Sequence, residues 1–81
     1  MKPEDFKRWR KALGLSQKDA ARALGLKKRV IQYYEKGLRD NRPVAIPLAV
    51  SLACYAIAKG VHSYDASDLT ADTWRESPKK A

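Results

Sequence analysis

Apolar residues recur three and four positions apart through the first half of the chain, as they do along one face of an amphipathic helix. Two glycines, Gly14 and Gly25, interrupt this pattern, so it predicts three short helices rather than one long helix. The first is expected over residues 3–13, because Pro3 suits a first helical turn and Gly14 follows as a stop. The apolar positions on the three predicted faces are Phe6, Trp9, Leu13, Ala20, Ala21, Leu24, Ile31 and Tyr34.

The second and third predicted helices are joined by a tight turn. Ser16 can cap the second helix by accepting a hydrogen bond from a free backbone N–H, and Gly25 suits the left-handed position at its end. The third helix opens on a basic run, residues 27–29. This arrangement is typical of a helix-turn-helix, which places its second helix in the major groove of DNA. An ordinary helical hairpin with a solvated basic face is the alternative.

Residues 6–37 closely resemble the Cro and phage-repressor helix-turn-helix family in the sequence F-K-R-W-R-K-A-L-G-L-S-Q-K-D-A-A-R-A-L-G-L-K-K-R-V-I-Q-Y-Y-E-K-G. The similarity extends over residues 1–60, and its framework G-L-S-Q…L-G-L…I…Y-E-K-G is specific. It implies an all-α fold, a compact lambda-repressor-like DNA-binding domain of four to five helices. Lys27 departs from the family pattern, which usually has serine or threonine there, so the third helix is expected to have a weaker N-cap.

The resemblance also assigns roles to individual residues. The matching arginine and glutamate pair in the family, which implies an ion pair between Arg10 and Glu35; two independent surface charges are the alternative. Gln17 matches a family position that contacts the DNA backbone, where a helix N-terminus also favours phosphate. Lys27 is expected to join it.

Long polar side chains occupy the third helix opposite its apolar face. Lys28 and Arg29 only donate hydrogen bonds and match the two acceptors of guanine, whereas Gln32 both donates and accepts, which suits adenine. Tyr33 lies on the same face and can also reach a phosphate or stack on a sugar. The predicted base-contacting residues are Lys28, Arg29, Gln32 and Tyr33.

The segment after the third helix, residues 36–43, is rich in turn-forming residues and is predicted to be a loop. Its basic side chains are well placed to meet phosphates beside the recognition helix, although plain solvated charges are the alternative for each of them. The predicted backbone-contacting residues are Gln17, Lys27, Lys36, Arg39 and Arg42.

The net charge of +8 lies wholly in the first half of the chain. Residues 1–45 hold thirteen lysines or arginines against five acids, whereas residues 46–81 hold four of each. This segregation favours a polyanion as partner, and double-stranded DNA is the expected one. A membrane surface is not expected, because the basic residues are spread over three short helices rather than one strongly amphipathic helix.

A fourth helix is predicted over residues 46–59, with Pro47 tolerated in its first turn. Its sequence, I-P-L-A-V-S-L-A-C-Y-A-I-A-K, is apolar nearly all round but too short for a membrane span. We expect one face to close the core and another to form a homodimer contact; a tail that folds back over the helix is the alternative. The predicted interface residues are Leu48, Leu52, Tyr55, Ala56 and Trp74.

The chain is expected to form one domain, residues 1–60, followed by a C-terminal tail, residues 61–81. The tail is compatible with a short helix near residues 67–75, and its last residues, S-P-K-K-A, are expected to be disordered. The charged N-terminus does not resemble a signal peptide, and the single Cys54 cannot form an internal disulfide. A cytoplasmic, nucleoid-associated protein is therefore expected.

Enzyme chemistry is not expected, because His62 is the only histidine and the sequence has no carboxylate cluster or glycine-rich phosphate loop. A metal, another cofactor or a small-molecule ligand is not expected either, since too few residues remain for metal ligands or a sensor domain. The expected function is a sequence-specific transcriptional regulator, a repressor or autorepressor of a phage or mobile element, that binds an inverted-repeat operator as a homodimer. The alternative is a protein-interaction module, such as an antitoxin or a phage adaptor, that uses the same fold.

Overall fold

The computed structural model describes residues 1–63, which form four helices and a two-stranded sheet. The predicted helix near residues 67–75, the predicted disordered end and Trp74 as an interface residue lie outside the described residues. The elements in chain order are α1 (Pro3–Ala12), α2 (Gln17–Leu24), α3 (Lys28–Lys36), β1 (Leu38–Arg39), β2 (Arg42–Pro43) and α4 (Leu48–Ala58).

The first two helices begin at the residues that their sequence indicates. α1 starts at Pro3, and α2 is capped by Ser16, whose Oγ accepts a hydrogen bond from the backbone N–H of Asp19 at 3.0 Å. Gly25 ends α2 with a φ of 70°, a left-handed conformation that is strained for residues with a Cβ. Leu13, predicted on the apolar face of α1, follows the last helical residue and is 40% exposed, so that prediction is wrong.

The third helix is the one whose N-cap the sequence predicts to be weak. Lys27 occupies that position and makes no side-chain hydrogen bond to the helix. At the other end, Gly37 stops α3 with a φ of 75°. A Cβ at Gly37 would lie 3.1 Å from the Cγ of Pro3, so both the backbone conformation and the close approach to α1 require glycine.

The core lies where α1 and α2 pack against α3. Phe6 is at its centre, with its ring centroid 5.4 Å from that of Trp9 and 5.6 Å from that of Tyr34. Small residues on α2 allow its backbone to approach α3 closely, as the sequence predicts for Ala21. The buried core residues are Phe6, Ala20, Ala21, Ile31, Tyr34 and Cys54.

The segment between α3 and α4 contains a β-hairpin, where the sequence predicts only a loop. Asp40 and Asn41 form its turn with φ values of 52° and 65°, and both residue types tolerate the left-handed region. The two antiparallel cross-strand pairs are Leu38–Pro43 and Arg39–Arg42. The all-α prediction therefore needs a correction, because the described fold is mostly helical with a small sheet.

The fourth helix begins at Leu48 rather than at residue 46. A residue that precedes a proline avoids the helical conformation, so Ile46 stays outside the helix and Pro47 takes the N-cap position. The inner face of α4 buries Cys54, and Nε1 of Trp9 donates a hydrogen bond to the Cys54 carbonyl oxygen at 2.9 Å. Burial raises the pKa of the Cys54 thiol to about 11, so the thiol stays protonated and packs as a small apolar group.

The other side of α4 is apolar and open within residues 1–63. Leu48, Leu52 and Tyr55 are 73%, 62% and 65% exposed, and their spacing of four and three residues places them on one stripe. We call these three residues the outer face of α4. Ala56 is half-buried. In the part of the chain that the structure describes, no helix is long and apolar enough to cross a membrane.

Candidate nucleic-acid interface

The exposed side of α3 carries only polar and basic side chains. Ile31 and Tyr34, on the opposite side, are buried in the core and fix how the helix is rotated about its axis. The buried positions of Ile31 and Tyr34 therefore determine which side chains of α3 face away from the core. We call this side the recognition face; its residues are Lys28, Arg29, Gln32 and Lys36.

Tyr33 is half-buried at the edge of the recognition face. The guanidinium carbon of Arg39 lies 5.3 Å from the centroid of the Tyr33 ring, which is a cation–π contact between β1 and α3. One face of the ring is therefore occupied within the protein, and the contact holds the hairpin beside the recognition face.

Two arginines that are three residues apart in the sequence face each other across the hairpin. Arg39 and Arg42 are opposite each other, and like charges directly opposite destabilise a strand pair. Within residues 1–63 the only ion pair joins Arg10 to Glu35, so no carboxylate of this region pairs with either hairpin arginine.

Arg10 and Glu35, expected to pair, are in direct contact. Arg10 Nε lies 2.5 Å from Glu35 Oε2, and Nη2 lies 3.2 Å from Oε1. Arg10 Nη1 also donates to the backbone carbonyl of Leu15 at 2.9 Å. The side chains of Arg10 and Glu35 are only 12% and 7% exposed, so the pair is largely shielded from water. It joins the last turn of α1 to the last turn of α3.

The environment of Glu35 favours its ionised form. Desolvation by burial raises the pKa of Glu35, but hydrogen bonds from Arg10 and Gln17 and the positive charges of Arg10 and Lys7 lower it by more. The pKa of Glu35 therefore lies below its ordinary value, and its carboxylate acts only as a hydrogen-bond acceptor at neutral pH.

The lowered pKa of Glu35 predicts a pH-dependent stability. A carboxyl group whose pKa is lower in the folded state contributes stability above its unfolded pKa, and the contribution is lost as the pH falls through the folded pKa. We expect the wild type to exceed a Glu35→Gln variant in free energy of unfolding at neutral pH, and the difference to shrink below about pH 4.3. Urea titrations across this range measure both proteins, and the other acids cancel because both carry them. A pH-independent difference would contradict the assignment.

Gln17, the first residue of α2, lies between the ion pair and the recognition face. Its Nε2 donates to Oε1 of Glu35 at 3.3 Å, and its Oε1 accepts from Nε2 of Gln32 at 3.4 Å. The amide of Gln17 is thus bonded to protein groups on both sides, which the sequence does not predict. Its predicted contact with a DNA phosphate stays a prediction.

An open cavity of about 350 Å³ lies where α1, the start of α2 and the end of α3 meet. Lys7, which the sequence does not single out, adds a positive charge to the rim of this cavity. A signal was present, since Lys7 precedes Arg10 by three residues and such residues are neighbours on a helix surface. The lining residues are Lys7, Gln17, Gln32, Glu35 and Lys36.

The helix-turn-helix family model matches residues 6–43, the stretch from α1 to β2 that carries the recognition face and the ion pair. No curated protein and no solved structure matches the chain significantly. The family binds DNA and is not enzymatic, which supports the expectation that the protein is not an enzyme. Residues 6–43 therefore belong to the Cro and phage-repressor helix-turn-helix family of DNA-binding transcription regulators.

Proposed function

We propose that this protein is a sequence-specific transcriptional repressor that binds an inverted-repeat operator as a homodimer. The observation that carries the proposal is the recognition face, because α3 turns Lys28, Arg29 and Gln32 outward together while its other side is fixed in the core. A helix held in this way can lie in the major groove with its long side chains directed at base edges.

Two kinds of contact divide the work at the DNA. Lys28 and Arg29 donate to the paired acceptors of guanine, and Gln32 pairs with adenine. Tyr33 contacts a base at the edge of the recognition face. Phosphate contacts fix the position of the protein on the duplex without carrying sequence information. The proposed phosphate contacts are Gln17, Lys27, Lys36, Arg39 and Arg42.

The homodimer is proposed because one recognition helix contacts too few base pairs for a specific site. A single helix contacts about four or five base pairs, and a two-fold dimer doubles this number on half-sites about one helical turn apart. The outer face of α4 supports this part of the proposal, because its three large apolar side chains are exposed on one stripe. A two-fold axis would bring the same stripe of both protomers together. The proposed interface residues are Leu48, Leu52, Tyr55, Ala56 and Trp74.

Repression is the simplest result of such binding. A dimer that occupies a promoter excludes polymerase from the same DNA, and no further activity is required of the protein. Proteins that resemble this family often regulate their own operon. The proposed protein is therefore a nucleoid-associated autorepressor of a phage or mobile element.

A protein-interaction module, such as an antitoxin or a phage adaptor, is the second candidate function. The outer face of α4 also favours it, since exposed apolar stripes bind other proteins as well as second copies. A stable homodimer in solution would argue against this candidate, whereas a monomer that aggregates through α4 would support it.

Selection of random duplex DNA by the purified protein at about 150 mM salt tests the proposed function, because this salt suppresses binding that depends on charge alone. Enrichment of an inverted repeat with half-sites about one helical turn apart is the expected result. An asymmetric half-site would refute the dimer while keeping the sequence-specific regulator. Absence of any enriched sequence would refute the proposal.

Arg29→Ala is expected to cost about 1–3 kcal/mol of binding free energy on the selected site and to relax the preference at one base position. Lys27→Ala is the control, because loss of a phosphate contact weakens binding to all sequences alike. Titrations of both variants against selected and scrambled duplexes, at the same salt, measure the two effects. Equal losses on both duplexes for Arg29→Ala would contradict its base-reading role.

A further inference from the structure

Four side chains form one continuous hydrogen-bonded chain from α1 to the recognition face. Arg10 donates to Glu35 through Nε and Nη2, at 2.5 and 3.2 Å. Gln17 donates to the same carboxylate at 3.3 Å, and Gln32 donates to Gln17 at 3.4 Å. The chain ends on the side chain that is proposed to read adenine.

The chemistry of the groups fixes the direction of every bond in this chain. The guanidinium of Arg10 has donors and no acceptor, and the carboxylate of Glu35 has acceptors and no donor when ionised. Gln17 must therefore turn its NH₂ group towards Glu35, which leaves its Oε1 facing Gln32. Since an amide oxygen only accepts, Gln32 must in turn direct its NH₂ group at Gln17. One amide orientation at each glutamine satisfies all four residues.

We infer that this chain sets the orientation of the Gln32 amide, and that Gln17 is the positioning residue that determines which base Gln32 prefers. The inference rests on the proposed function, in which Gln32 reads a base. With one N–H held by Gln17, Gln32 presents its Oε1 together with its second N–H. That pair of groups complements adenine, whose major-groove edge offers one donor and one acceptor, and it mismatches guanine, which offers two acceptors.

The arrangement also explains what α2 contributes to the recognition face. An exposed glutamine alone can present its amide in two orientations related by rotation about its last side-chain bond, and ordering it costs rotamer entropy. Here the orientation is transmitted from a shielded ion pair through one intermediate residue. A side chain ordered before binding loses less freedom when the DNA arrives.

Two substitutions at Gln17 make opposite predictions. In Gln17→Lys the new ammonium group has only donors; it can pair with Glu35 and donate to Oε1 of Gln32, so the Gln32 amide turns over and presents its NH₂ group to the DNA. The preferred base at that position is expected to change from adenine to guanine, with the ratio of the two affinities shifting about tenfold or more. In Gln17→Glu the new carboxylate cannot donate to Glu35 and is repelled by it, but it still accepts from Gln32. Gln32 therefore keeps its orientation and the adenine preference persists, although overall affinity falls.

The measurement is competitive binding of a library in which only the base pairs of the selected half-site vary. Gln32→Ala identifies the position that Gln32 reads, since discrimination there should disappear. A change from adenine to guanine in Gln17→Lys but not in Gln17→Glu would support the inference. Equal loss on all sequences in both variants would overturn it and leave Gln17 as a phosphate contact. A wild type without any base preference would overturn the proposed function as well, so the two failures are distinguishable.

A second readout needs no DNA. In ¹⁵N–¹H spectra of the free protein, the side-chain NH₂ signal of Gln32 is expected to move in Gln17→Lys, because its hydrogen bond to residue 17 is lost. The same signal should stay near its wild-type position in Gln17→Glu, which retains an acceptor. Circular dichroism of both variants checks that the helices are intact. Identical Gln32 signals in the wild type and Gln17→Lys would overturn the inference.

Discussion

Replacing Arg10 by alanine is expected to lower the free energy of unfolding by about 3–5 kcal/mol, the usual cost of removing one partner of a buried ion pair. Glu35 would keep its charge in a site where its side chain is only 7% exposed, and the carbonyl oxygen of Leu15 would lose its donor. Since small domains are stable by about 5–15 kcal/mol in total, the loss is a large part of the whole.

Urea unfolding followed by circular dichroism measures this change. Arg8→Ala is the matched control, because Arg8 is exposed on the same helix and forms no ion pair with any other described residue; we expect a change within about 0.5 kcal/mol. Arg10→Met combined with Glu35→Leu removes both charges and should recover most of the loss, since neither partner is then stranded. An unchanged free energy of unfolding in Arg10→Ala would contradict the structural role of the pair.

The helix-turn-helix could be predicted from the sequence because its signals are local. The cap at Ser16 and the stop at Gly25 each depend on backbone conformations that neighbouring residues determine. The apolar spacing then fixes which side of each helix is buried, as Ile31 and Tyr34 do for α3. The Arg10–Glu35 contact could be predicted only from the family resemblance, because the two residues are 25 positions apart.

The hairpin could not be predicted from the sequence, which indicates only a loop, because its strands have only two residues each. No alternating apolar pattern can be read in so short a strand. Its turn depends on two successive left-handed residues, and aspartate and asparagine occur as readily in other turns. Arg39 and Arg42 face each other only because of the pairing register, so their mutual repulsion could not be inferred from their spacing along the chain.

The hydrogen-bonded chain at the recognition face could not be predicted from the sequence for a similar reason. Gln17 is 15 residues from Gln32 and 18 from Glu35, and only the packing of α2 against α3 brings them together. Residue type alone suggested a separate role for each of the three. Their mutual geometry makes the proposed role of Gln32 depend on Gln17, and spacing along the chain cannot show this dependence.

Leu52→Glu is expected to separate the proposed homodimer and to reduce affinity for the inverted repeat by about 10²–10⁴-fold, the gain that joining two binding modules typically supplies. Two-fold symmetry places the new carboxylate of each protomer in the same apolar contact, where both would lose water without a partner. The fold should tolerate the change, because Leu52 is 62% exposed. Affinity for a duplex with one half-site should stay the same, since the recognition face is on another helix.

Sedimentation equilibrium and titrations against inverted-repeat and half-site duplexes test these expectations together. Ala12→Glu is the matched control, because Ala12 is exposed at the end of α1, outside both the outer face of α4 and the recognition face. It adds the same charge and should leave both the dimer and the operator affinity intact. A Leu52→Glu protein that stays dimeric and binds the inverted repeat as tightly as the wild type would place the interface elsewhere. The outer face of α4 would then be left for a different protein or for the tail of this chain, and the interaction-module candidate would gain the support that the repressor lost.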